Sequence, residues 1–451
     1  MESVTGKEKR LLPVKRSSVF RATIFYPNSY HVAMSSLAVH GLLRITNEHP
    51  NWTAERYFAD TGGKYTLDNQ QLVSDSDIIA VTVSYEPDIE RVLRFLSDFA
   101  IPLDPKLRHS MQPVIIAGGA VTYHNTALLS SFADLVAVGD GEELYRDLLT
   151  LFPAFRGKRR ELWEHYRLHP HVVTPLDATA KKPVIKSVTE PWHSAILARD
   201  TEFSDMFLIE IGRGCPHACP FCTVGANFGP VRWFDSEKIA QAVSRAGCRR
   251  VGLVAPSPLD HPQIHDLLSK LDGYDVRCSS VRLDSVPEEL PGGMVACDSL
   301  TVGLESGSLR LRLQIGKNTD DGIFLDRLRT FYDQGVRKLK LYAMYGLPGE
   351  TDADLCELMD LVRQVCSFWN AGKITVSLNA FAPMPGTAWE DHPFDLKFLR
   401  KKERILRDVF RRQNLSLVRL DFEPARNMAL QFRLAHGGLK EIREEFPEFW
   451  R

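Results

Sequence analysis

The sequence predicts an α/β protein with a doubly wound parallel sheet, then a partial (β/α)6 TIM-like barrel, and a small C-terminal cap. Three observations favour this fold class. Short, continuous apolar runs alternate with helical stretches from residue 21 to about residue 150, which is typical of a parallel sheet covered on both faces. Six further strand–helix repeats follow over residues 201–390. The length of 451 residues suits two or three domains, each with its own core.

The first domain, residues 1–150, contains five apolar runs that predict strands. These runs cover residues 22–26, 54–58, 77–84, 113–117 and 135–138. Helices are predicted between strands, over residues 30–46 and 89–99. Strands separated by helices indicate parallel pairing, because a parallel connection must cross from one end of the sheet to the other.

The carboxyl ends of such strands are where a doubly wound sheet binds its ligands. Here these ends carry the turns at residues 27–30, 84–88, 118–122 and 139–143, two of which are rich in glycine. Glycine lets a backbone approach a ligand closely, although it also serves simple tight turns. The candidate ligand-binding residues of this domain are Ser84, Gly118, Gly119, Gly139, Gly141 and Glu142.

Two segments outside the repeats are predicted to connect and cover the domains. Residues 151–200 are predicted to form a linker, because they carry several prolines and many charges, with a short helix at 160–167. Residues 391–451 are predicted to form the cap, with a charged helix over 397–413 and a strand over 415–419.

The second domain, residues 201–390, contains six predicted strands. They cover residues 206–211, 250–255, 276–283, 300–305, 338–345 and 374–381, with helices such as 236–246 and 320–334 between them. In a barrel of parallel strands the active site faces the carboxyl ends of the strands.

Strict alternation in these strands predicts which side chains face the barrel lumen. In the strand over 338–345, Lys340, Tyr342 and Met344 face inward, and a lysine inside a barrel is costly unless it meets an anion or a ligand. By orientation alone, Lys340, Tyr342 and Asn379 are the candidates for acid–base roles. The other polar or site-forming residues predicted to face inward are Ser280, Arg282, Asp284, Gly303, Glu305, Thr375, Ser377 and Phe381.

Three cysteines form the most specific motif of the chain. Cys215, Cys219 and Cys222 follow an apolar strand and two glycines with the spacing C-x-x-x-C-x-x-C. Three thiolates on one loop suit three irons of a 4Fe–4S cluster and leave the fourth iron open to a small molecule. The alternatives are a zinc knuckle, which needs a fourth ligand that His217 is poorly placed to supply, or thiols without a metal.

The other cysteines, the charge balance and the apolar runs indicate where the protein is located and which partners it has. The other five cysteines are scattered, so a cytosolic metal site is favoured over disulfides. Lys and Arg total 56 against 57 for Asp and Glu, which predicts no nucleic-acid partner. No run of 18 apolar residues occurs, so no membrane span is predicted and a cytoplasmic location is expected.

The cysteine motif resembles that of the radical S-adenosylmethionine (SAM) superfamily, whose open iron binds the amino and carboxylate groups of SAM. Three further stretches carry the likeness: Ser280-Val-Arg282, Gly303-Leu-Glu-Ser-Gly307, and Tyr345-Gly-Leu-Pro-Gly-Glu350. The resemblance spans residues 200–390 and implies the partial barrel as well. The residues that it implies as SAM ligands are Phe221, Ser280, Arg282, Glu305, Ser306, Arg310 and Leu347.

This resemblance also implies individual roles. Glu305 is expected to hold the ribose and amino groups of SAM, and Arg282 the ribose or the carboxylate. Phe221 and the turn at 345–350 are expected to lie against the adenine. The stretch at 255–260 departs from the Gly-Gly-Glu commonly found there, which leaves its role open.

The first domain is similar to the Rossmann-like cobalamin-binding domain of one large radical SAM subgroup. The run at 26–37 and the turns Gly118-Gly119 and Gly139-Asp-Gly-Glu142 carry this likeness. The usual cobalt-ligating D-x-H-x-x-G motif is absent, and His31 lies in a different context. The resemblance therefore implies cobalamin with an open or differently filled lower axial position, or a sheet that has lost the cofactor.

The resemblance as a whole implies an enzyme that cleaves SAM reductively to a 5′-deoxyadenosyl radical. The first hypothesis is a cobalamin-dependent methyltransferase acting on an unactivated carbon of a small-molecule substrate, with a low-potential donor such as flavodoxin or ferredoxin. The alternatives are a radical cyclase, rearrangement or other C–C bond-forming enzyme, and a non-enzymatic iron–sulfur protein. Methylthio transfer is disfavoured, because those enzymes carry three cysteines in the N-terminal domain and this chain has none before Cys215.

Overall fold

The computed structural model describes residues 7–13, 15–186, 190–278, 280–286, 299–413, 415 and 417–450. They form two compact units. The first comprises the described residues of Met1–Val188, Trp192–Leu208 and Arg433–Arg451, and the second those of Thr189–Pro191 and Ile209–Phe432. Within the described ranges, no helix is long and apolar enough to cross a membrane.

The first unit is built around a parallel sheet. Its strands are β1 (Glu8–Arg10), β2 (Phe20–Tyr26), β3 (Trp52–Phe58), β4 (Ile78–Thr82), β5 (Val114–Gly118), β6 (Leu135–Ala137), β7 (Val172–Val173) and β8 (Ile196–Ala198). Its helices are α1 (Tyr30–Ala33), α2 (Leu37–Glu48), α3 (Ile89–Asp98), α4 (Ala127–Ser130), α5 (Glu142–Phe155) and α6 (Arg159–Tyr166). Six strands pair in the order β3-β2-β4-β5-β6-β7, and all neighbours are parallel except β6 and β7. Every residue of β3 and β4 is buried, as expected for strands covered on both faces.

The helix predicted over residues 30–46 is two helices in the structure. Helix α1 ends at Ala33, and α2 begins after Ser36, whose backbone is extended. The buried His40 Nε2 hydrogen-bonds to the carbonyl of Met34 in the break at 3.1 Å, and its Nδ1 accepts from the Ala195 amide. Burial lowers the pKa of His40 to about 4, so the ring is neutral at neutral pH and satisfies the backbone at this break.

The segment predicted as a linker, residues 151–200, differs most from expectation. It contributes α6 and the sixth strand of the sheet, β7, and β8 pairs with β1. Trp163 and Leu162 of α6 lie in the same hydrophobic cluster as Trp52 of the sheet. The prolines and charges of this segment lie between short, buried elements, so composition alone was a poor guide to its packing.

The second unit contains strands at the six predicted barrel positions and three further strands. In chain order the strands are β9 (Phe207–Glu210), β10 (Gly212–Arg213), β11 (Arg232–Trp233), β12 (Arg250–Val254), β13 (Asp275–Cys278), β14 (Ser299–Glu305), β15 (Lys338–Tyr345), β16 (Lys373–Ala380) and β17 (Val418–Phe422). The further strands are β10, β11 and β17, and the first two residues of β9 belong to the first unit. The helices are α7 (Thr223–Asn227), α8 (Ser236–Ala246), α9 (Ile264–Lys270), α10 (Leu309–Gln314), α11 (Asp321–Asp333), α12 (Asp352–Phe368), α13 (Leu396–Gln413) and α14 (Ala425–His436). The last four residues of α14 and all of α15 (Leu439–Glu445) belong to the first unit.

The barrel strands pair in two groups, β9-β12-β13 and β14-β15-β16-β17, and a parallel bridge between Val281 and Val302 joins the groups. The pairs within these two groups that the structure defines in register are parallel, whereas β10 and β11 form a separate antiparallel pair. Strand β17 was predicted at residues 415–419 as part of the cap, but it lies at 418–422 and extends the barrel sheet beside β16. In β15 and β16 buried and half-buried residues alternate, so one face packs against helices and the other faces the lumen.

Candidate active site at the carboxyl ends of the barrel strands

The cysteine loop joins β10 to α7 at one end of the barrel strands. Cys215, Cys219 and Cys222 are half-buried free thiols, and the Cys222 amide donates to the Cys219 carbonyl at 3.0 Å. Burial raises the pKa of Cys215, and the neighbouring Cys222 and Cys219 thiolates raise it further. Three closely spaced thiolates repel one another, and binding to a thiophilic metal group would relieve this repulsion.

Two glycines keep this loop compact. A Cβ on Gly225 of α7 would lie 2.5 Å from the His217 carbonyl oxygen, so the loop packs directly on the helix that follows it. Gly214 has a φ of +74°, a left-handed conformation that favours glycine. Within the described ranges, no three His, Cys, Asp or Glu side chains are arranged around a single metal ion. In a 4Fe–4S cluster each thiolate binds a different iron, so the donor set fits a cluster.

His217, between the first two cysteines, is engaged elsewhere. Its Nε2 lies 2.7 Å from Asp260 Oδ2, and Ser257 and Ser285 also donate to this carboxylate. Although burial opposes its charge, the hydrogen bonds from Ser257 and His217 hold the pKa of Asp260 below its ordinary value. The stretch at 255–260, whose role was open from the sequence, therefore anchors the cysteine loop through its last residue.

Arg282 makes direct contact with the cysteine loop. Its Nη1 lies 3.3 Å from Cys219 Sγ, and its Nη2 donates to Asp284 Oδ2 at 2.7 Å and to the Gly316 carbonyl. Burial opposes its charge, but the hydrogen bond to Asp284 holds the pKa of Arg282 above its ordinary value. The sequence predicted Arg282 in the lumen, but it carried no signal for contact with a cysteine.

Glu305 has an unusual backbone conformation, and its carboxylate pairs with a lysine that the sequence did not single out. Its φ is +64°, which is rare for a residue with a side chain. Lys317 Nζ lies 2.8 Å from Glu305 Oε1 and also donates to the Gly303 carbonyl. A Cβ on Gly303 would lie 2.8 Å from both charged atoms, so glycine leaves room for the ion pair and a larger residue would displace these side-chain ends.

The turn at residues 345–350 is fixed by a buried carboxylate. The Gly346 amide donates to Glu350 Oε2 at 2.8 Å, and Lys402 lies 3.8 Å from the same oxygen. Burial raises the pKa of Glu350 to about 7, while the Gly346 amide and Lys402 partly offset the rise. Gly346 and Gly349 both have positive φ, which this tight turn requires.

An apolar cluster lies beside the cysteine loop. Leu347 of the turn, Phe381 at the end of β16 and Leu311 of α10 are buried together, with Phe221 and Trp389 packed against them. The Trp389 amide donates to the Pro220 carbonyl at 3.2 Å, so the loop after β16 contacts the cysteine loop. The structure thus brings together Phe221 and Leu347, two of the residues predicted from sequence, and adds Trp389.

Other predicted site residues occupy different positions. Ser280 is half-buried, and Ser306 is buried with its Oγ accepting from the Ser308 amide. Arg310 is largely exposed and pairs with Asp354 at 2.6 Å and with the Gly349 carbonyl, so it fastens the turn to α12. These contacts use Nη2, so a role for Arg310 as a SAM ligand would use the other N–H groups of its guanidinium.

The acid–base candidates lie at different depths. Lys340 and Tyr342 are half-buried, and Lys340 Nζ lies 4.7 Å from the centre of the Tyr342 ring. Lys340 is the third residue of the eight-residue β15, whereas Asn379 is the seventh of the eight-residue β16. At about 3.3 Å per residue, Lys340 lies roughly 16 Å from the carboxyl end of its strand, so Asn379 is better placed for chemistry at that end.

The carboxyl edge of the sheet in the first unit gathers polar residues. Glu86 contacts His124 at 2.7 Å, and Tyr123 donates to Asp140 at 2.6 Å. The sequence did not single out these four residues, although Glu86 and Asp140 lie in the predicted turns and Tyr123 and His124 just after one. In the described part of the chain, His124 Nδ1 is buried and makes no hydrogen bond, a feature that often marks a site for a ligand or water.

The predicted glycines of this edge divide into two kinds. A Cβ on Gly119 would lie 2.3 Å from the Val83 carbonyl oxygen, and one on Gly139 would lie 2.4 Å from the Val184 amide nitrogen. These two glycines are needed for backbone packing within the unit. Gly118 and Gly141 would accept a Cβ at ordinary distances, so packing does not require glycine there. Ser84 is exposed, and Glu142 is buried at the start of α5.

Comparison with protein families identifies both regions. A family described as "Radical SAM superfamily" matches residues 209–362, which include the three cysteines, Arg282, Glu305 and the turn at 345–350. The chain belongs to the radical SAM superfamily. A second family, "Radical SAM proteins, N-terminal", matches residues 38–175. The chain is therefore a radical SAM enzyme, of a superfamily that uses a 4Fe–4S cluster and SAM.

Relatives and solved structures extend this identification. An uncharacterized protein of Methanocaldococcus jannaschii is 27% identical, covering 92% of this chain and 88% of that protein. A putative methylthiotransferase of the same organism is 25% identical, covering 58% of this chain and 60% of the relative. TsrM from Kitasatospora setae, a radical SAM methyltransferase solved with cobalamin and a [4Fe-4S] cluster, has a TM-score of 0.55 at 13% identity, covering 80% of this chain and 75% of TsrM. OxsB, a cobalamin-dependent SAM radical enzyme, has a TM-score of 0.53 at 14% identity, covering 95% of this chain and 62% of OxsB. These likenesses confirm the predicted fold, with its parallel sheets and partial barrel.

Replacing Lys317 with methionine is expected to weaken SAM binding to this radical SAM enzyme by about tenfold, or ~1.4 kcal/mol. Glu305 is the residue expected to hold the ribose and amino groups of SAM. Without Lys317, its carboxylate loses its cation and the charge-assisted hydrogen bond that fixes its orientation. Equilibrium binding of SAM to the cluster-containing protein measures the change. Lys270→Met removes an exposed pair with Asp266 and should leave SAM affinity unchanged. Equal affinities in all three proteins would contradict a role for Lys317.

Glu350 is expected to make folding stability fall as pH rises from about 4.5 to 7. In this range the folded protein keeps the Glu350 proton while the unfolded chain has lost it, because burial raises the folded pKa to about 7. Glu350→Gln should remove about 1–3 kcal/mol of this pH dependence. Denaturant unfolding at pH 5 and pH 8 measures it, with Glu357→Gln on the exposed side of α12 as the control. Identical pH dependence in wild type and Glu350→Gln would refute this assignment.

Proposed function

We propose that this radical SAM enzyme is a cobalamin-dependent methyltransferase that acts on an unactivated carbon of a small-molecule substrate. The observation that carries the proposal is the likeness in fold to TsrM over 80% of this chain. TsrM is a methyltransferase that has been solved with cobalamin and a [4Fe-4S] cluster bound. The residues of each unit in this chain fit the same two cofactors, as follows.

In the barrel, this chain's own residues would hold the cluster and SAM. Cys215, Cys219 and Cys222 supply three thiolates, and the Lys317–Glu305 pair presents a fixed carboxylate for the ribose and amino groups. The apolar cluster that contains Phe221 and Leu347 offers a wall for the adenine and keeps water away. When bound, the cluster and SAM supply a strongly oxidising carbon radical, which the protein must orient and shield.

In the first unit, the carboxyl edge of the sheet fits a large ligand. Gly118 and Gly141 lie at this edge without a packing requirement for glycine, and the unsatisfied His124 Nδ1 and the pairs around Glu86 and Asp140 supply polar groups. Doubly wound sheets bind ligands at this edge. When bound there, cobalamin would supply a methyl group for transfer. Ser84, Gly118, Gly141 and Glu142 are the residues that we propose for contact with it.

Radical chemistry without methyl transfer is the second candidate. OxsB, which shares the fold over 95% of this chain, is described as a cobalamin-dependent SAM radical enzyme and not as a methyltransferase. The fold therefore does not separate methyl transfer from ring formation or rearrangement. Methylthio transfer is suggested by the names of several relatives. It is disfavoured because this chain has no cysteine before Cys215 to bind a second cluster.

The experiment that tests the proposal is anaerobic purification with cobalamin supplied, followed by elemental analysis. About four irons and one cobalt per chain are expected. Incubation with SAM and reductant should then give S-adenosylhomocysteine together with 5′-deoxyadenosine. Four irons without cobalt would overturn the cobalamin assignment and favour the second candidate. Zinc in place of iron would overturn the radical mechanism for this chain.

A further inference from the structure

Arg282 is fixed so that one end of its guanidinium points at a cysteine of the cluster loop. The side chain is only 10% exposed. One edge is held by Asp284 at 2.7 Å and by the Gly316 carbonyl, which leaves Nη1 to contact Cys219 Sγ at 3.3 Å. A nitrogen-to-sulfur distance of this length corresponds to a hydrogen bond in which the guanidinium N–H donates to the sulfur. The superfamily resemblance assigns Arg282 a role toward SAM, but it says nothing of this contact.

The same short segment holds the loop at a second point. Ser285, three residues after Arg282, donates to Asp260 at 3.1 Å, and Asp260 binds His217 of the loop. The segment and the loop are thus joined at Cys219 and, through Asp260, at His217. Arg282 is therefore positioned by its surroundings before SAM binds, and its contact with sulfur does not depend on SAM.

We propose that Arg282 raises the reduction potential of the cluster by donating a hydrogen bond to the Cys219 thiolate. Reduction adds one electron from an external low-potential donor and makes the cluster more negative. A fixed positive charge and an N–H donor at a ligating sulfur stabilise that added charge, particularly where water is largely excluded. Hydrogen bonds to cluster sulfurs are among the main determinants of cluster potential. This inference rests on the proposed 4Fe–4S cluster at the three cysteines.

Asp284 has two opposing effects on the cluster potential. Its carboxylate fixes the guanidinium plane, so that Nη1 faces the sulfur, but its negative charge also opposes the effect of Arg282. Removing the charge of Arg282 leaves the Asp284 carboxylate without this cation, two residues from the position that contacts Cys219. The potential of an Arg282→Gln variant should therefore fall further than loss of the hydrogen bond alone would cause.

The test is a redox titration of the reconstituted protein without SAM, followed by electron paramagnetic resonance of the reduced cluster. At the potential where half of the wild-type cluster is reduced, the reduced-to-oxidised ratio in Arg282→Gln should be about tenfold lower, which corresponds to ~59 mV. Arg282→Lys keeps the charge but lacks the planar fork, so its shift should be in the same direction and smaller. Arg277→Gln on β13, which faces Asp275, is the control and should not shift.

Each outcome distinguishes the roles of Arg282. An unshifted potential in Arg282→Gln, with full iron content and weaker SAM binding, would overturn the proposal and leave Arg282 as a SAM ligand only. Should Arg282→Gln fail to retain iron, Arg282→Lys carries the test, and an unshifted potential there would overturn the proposal. The titration needs neither cobalamin nor substrate. A wild-type protein that takes up no iron would instead refute the proposed function.

Discussion

Alanine in place of Cys215, Cys219 or Cys222 is expected to reduce bound iron from about four atoms per chain to well below one. Two thiolates on a partly exposed loop cannot hold a cluster whose three protein-bound irons each need one. SAM cleavage should fall by more than about a thousandfold in each variant, since SAM has no reduced iron to bind. Elemental analysis and the visible absorbance of the cluster measure the loss of iron, and the formation of 5′-deoxyadenosine measures the loss of SAM cleavage.

The control is Cys356→Ala, which removes an exposed thiol on α12 outside the loop. Its iron content and its SAM cleavage should match those of the wild type. Circular dichroism should show the same helix content in all variants, because the three loop thiols are only half-buried. Retention of full iron in any one of the three loop variants would contradict the assignment of that cysteine.

Local sequence signals accounted for the barrel because its elements follow simple periodic rules. Strand β15 lies at the predicted residues 338–345, since strict alternation has one structural solution in a sheet with one covered face. Helix α8 lies at the predicted residues 236–246, because the Asp235 side chain caps its first turn and Gly247 ends it in a left-handed conformation. Such signals are carried by neighbouring residues and need no knowledge of the tertiary structure.

The candidate site could be predicted only in part, because its contacts join residues that are far apart in the sequence. The cysteine spacing marks the cluster loop within eight residues, but the groups that orient it come from distant segments. Lys317 reaches Glu305 from beyond α10, and Asp260 reaches His217 from 43 positions along the chain. A charged residue in a loop looks the same in a sequence whether it is solvated or aimed at a buried partner. These contacts depend on packing that periodicity does not encode.

Residues 151–200 show the same limit in the first unit. Their prolines and charges predicted a linker, yet Arg159 of α6 has a side chain only 8% exposed, and it contacts the buried Asp134 before β6. Arg108 pairs with the same carboxylate at 2.8 Å, and the Trp163 indole donates to it at 3.2 Å. The charge of Arg159, in a segment predicted to be a linker, is thus part of the core, because its partner Asp134 lies 25 residues earlier and is fully buried.

Asp134→Asn is accordingly expected to destabilise the first unit by about 3–5 kcal/mol, because it leaves two buried arginines without their counter-charge. Burial already lowers the pKa of Arg108, which Asp134 partly restores, so the loss of this carboxylate exposes the full cost of burying that cation. Hydrogen–deuterium exchange should show faster exchange in β5, β6 and α6, because Asp134 also accepts from the Ile115 amide of β5. Glu90→Gln, which removes an exposed pair with Arg94, should cost less than about 0.5 kcal/mol. Equal exchange in the two variants would contradict this prediction. It would mean that α6 is not stabilised by its contacts with Asp134, as expected if residues 151–200 behaved as a linker.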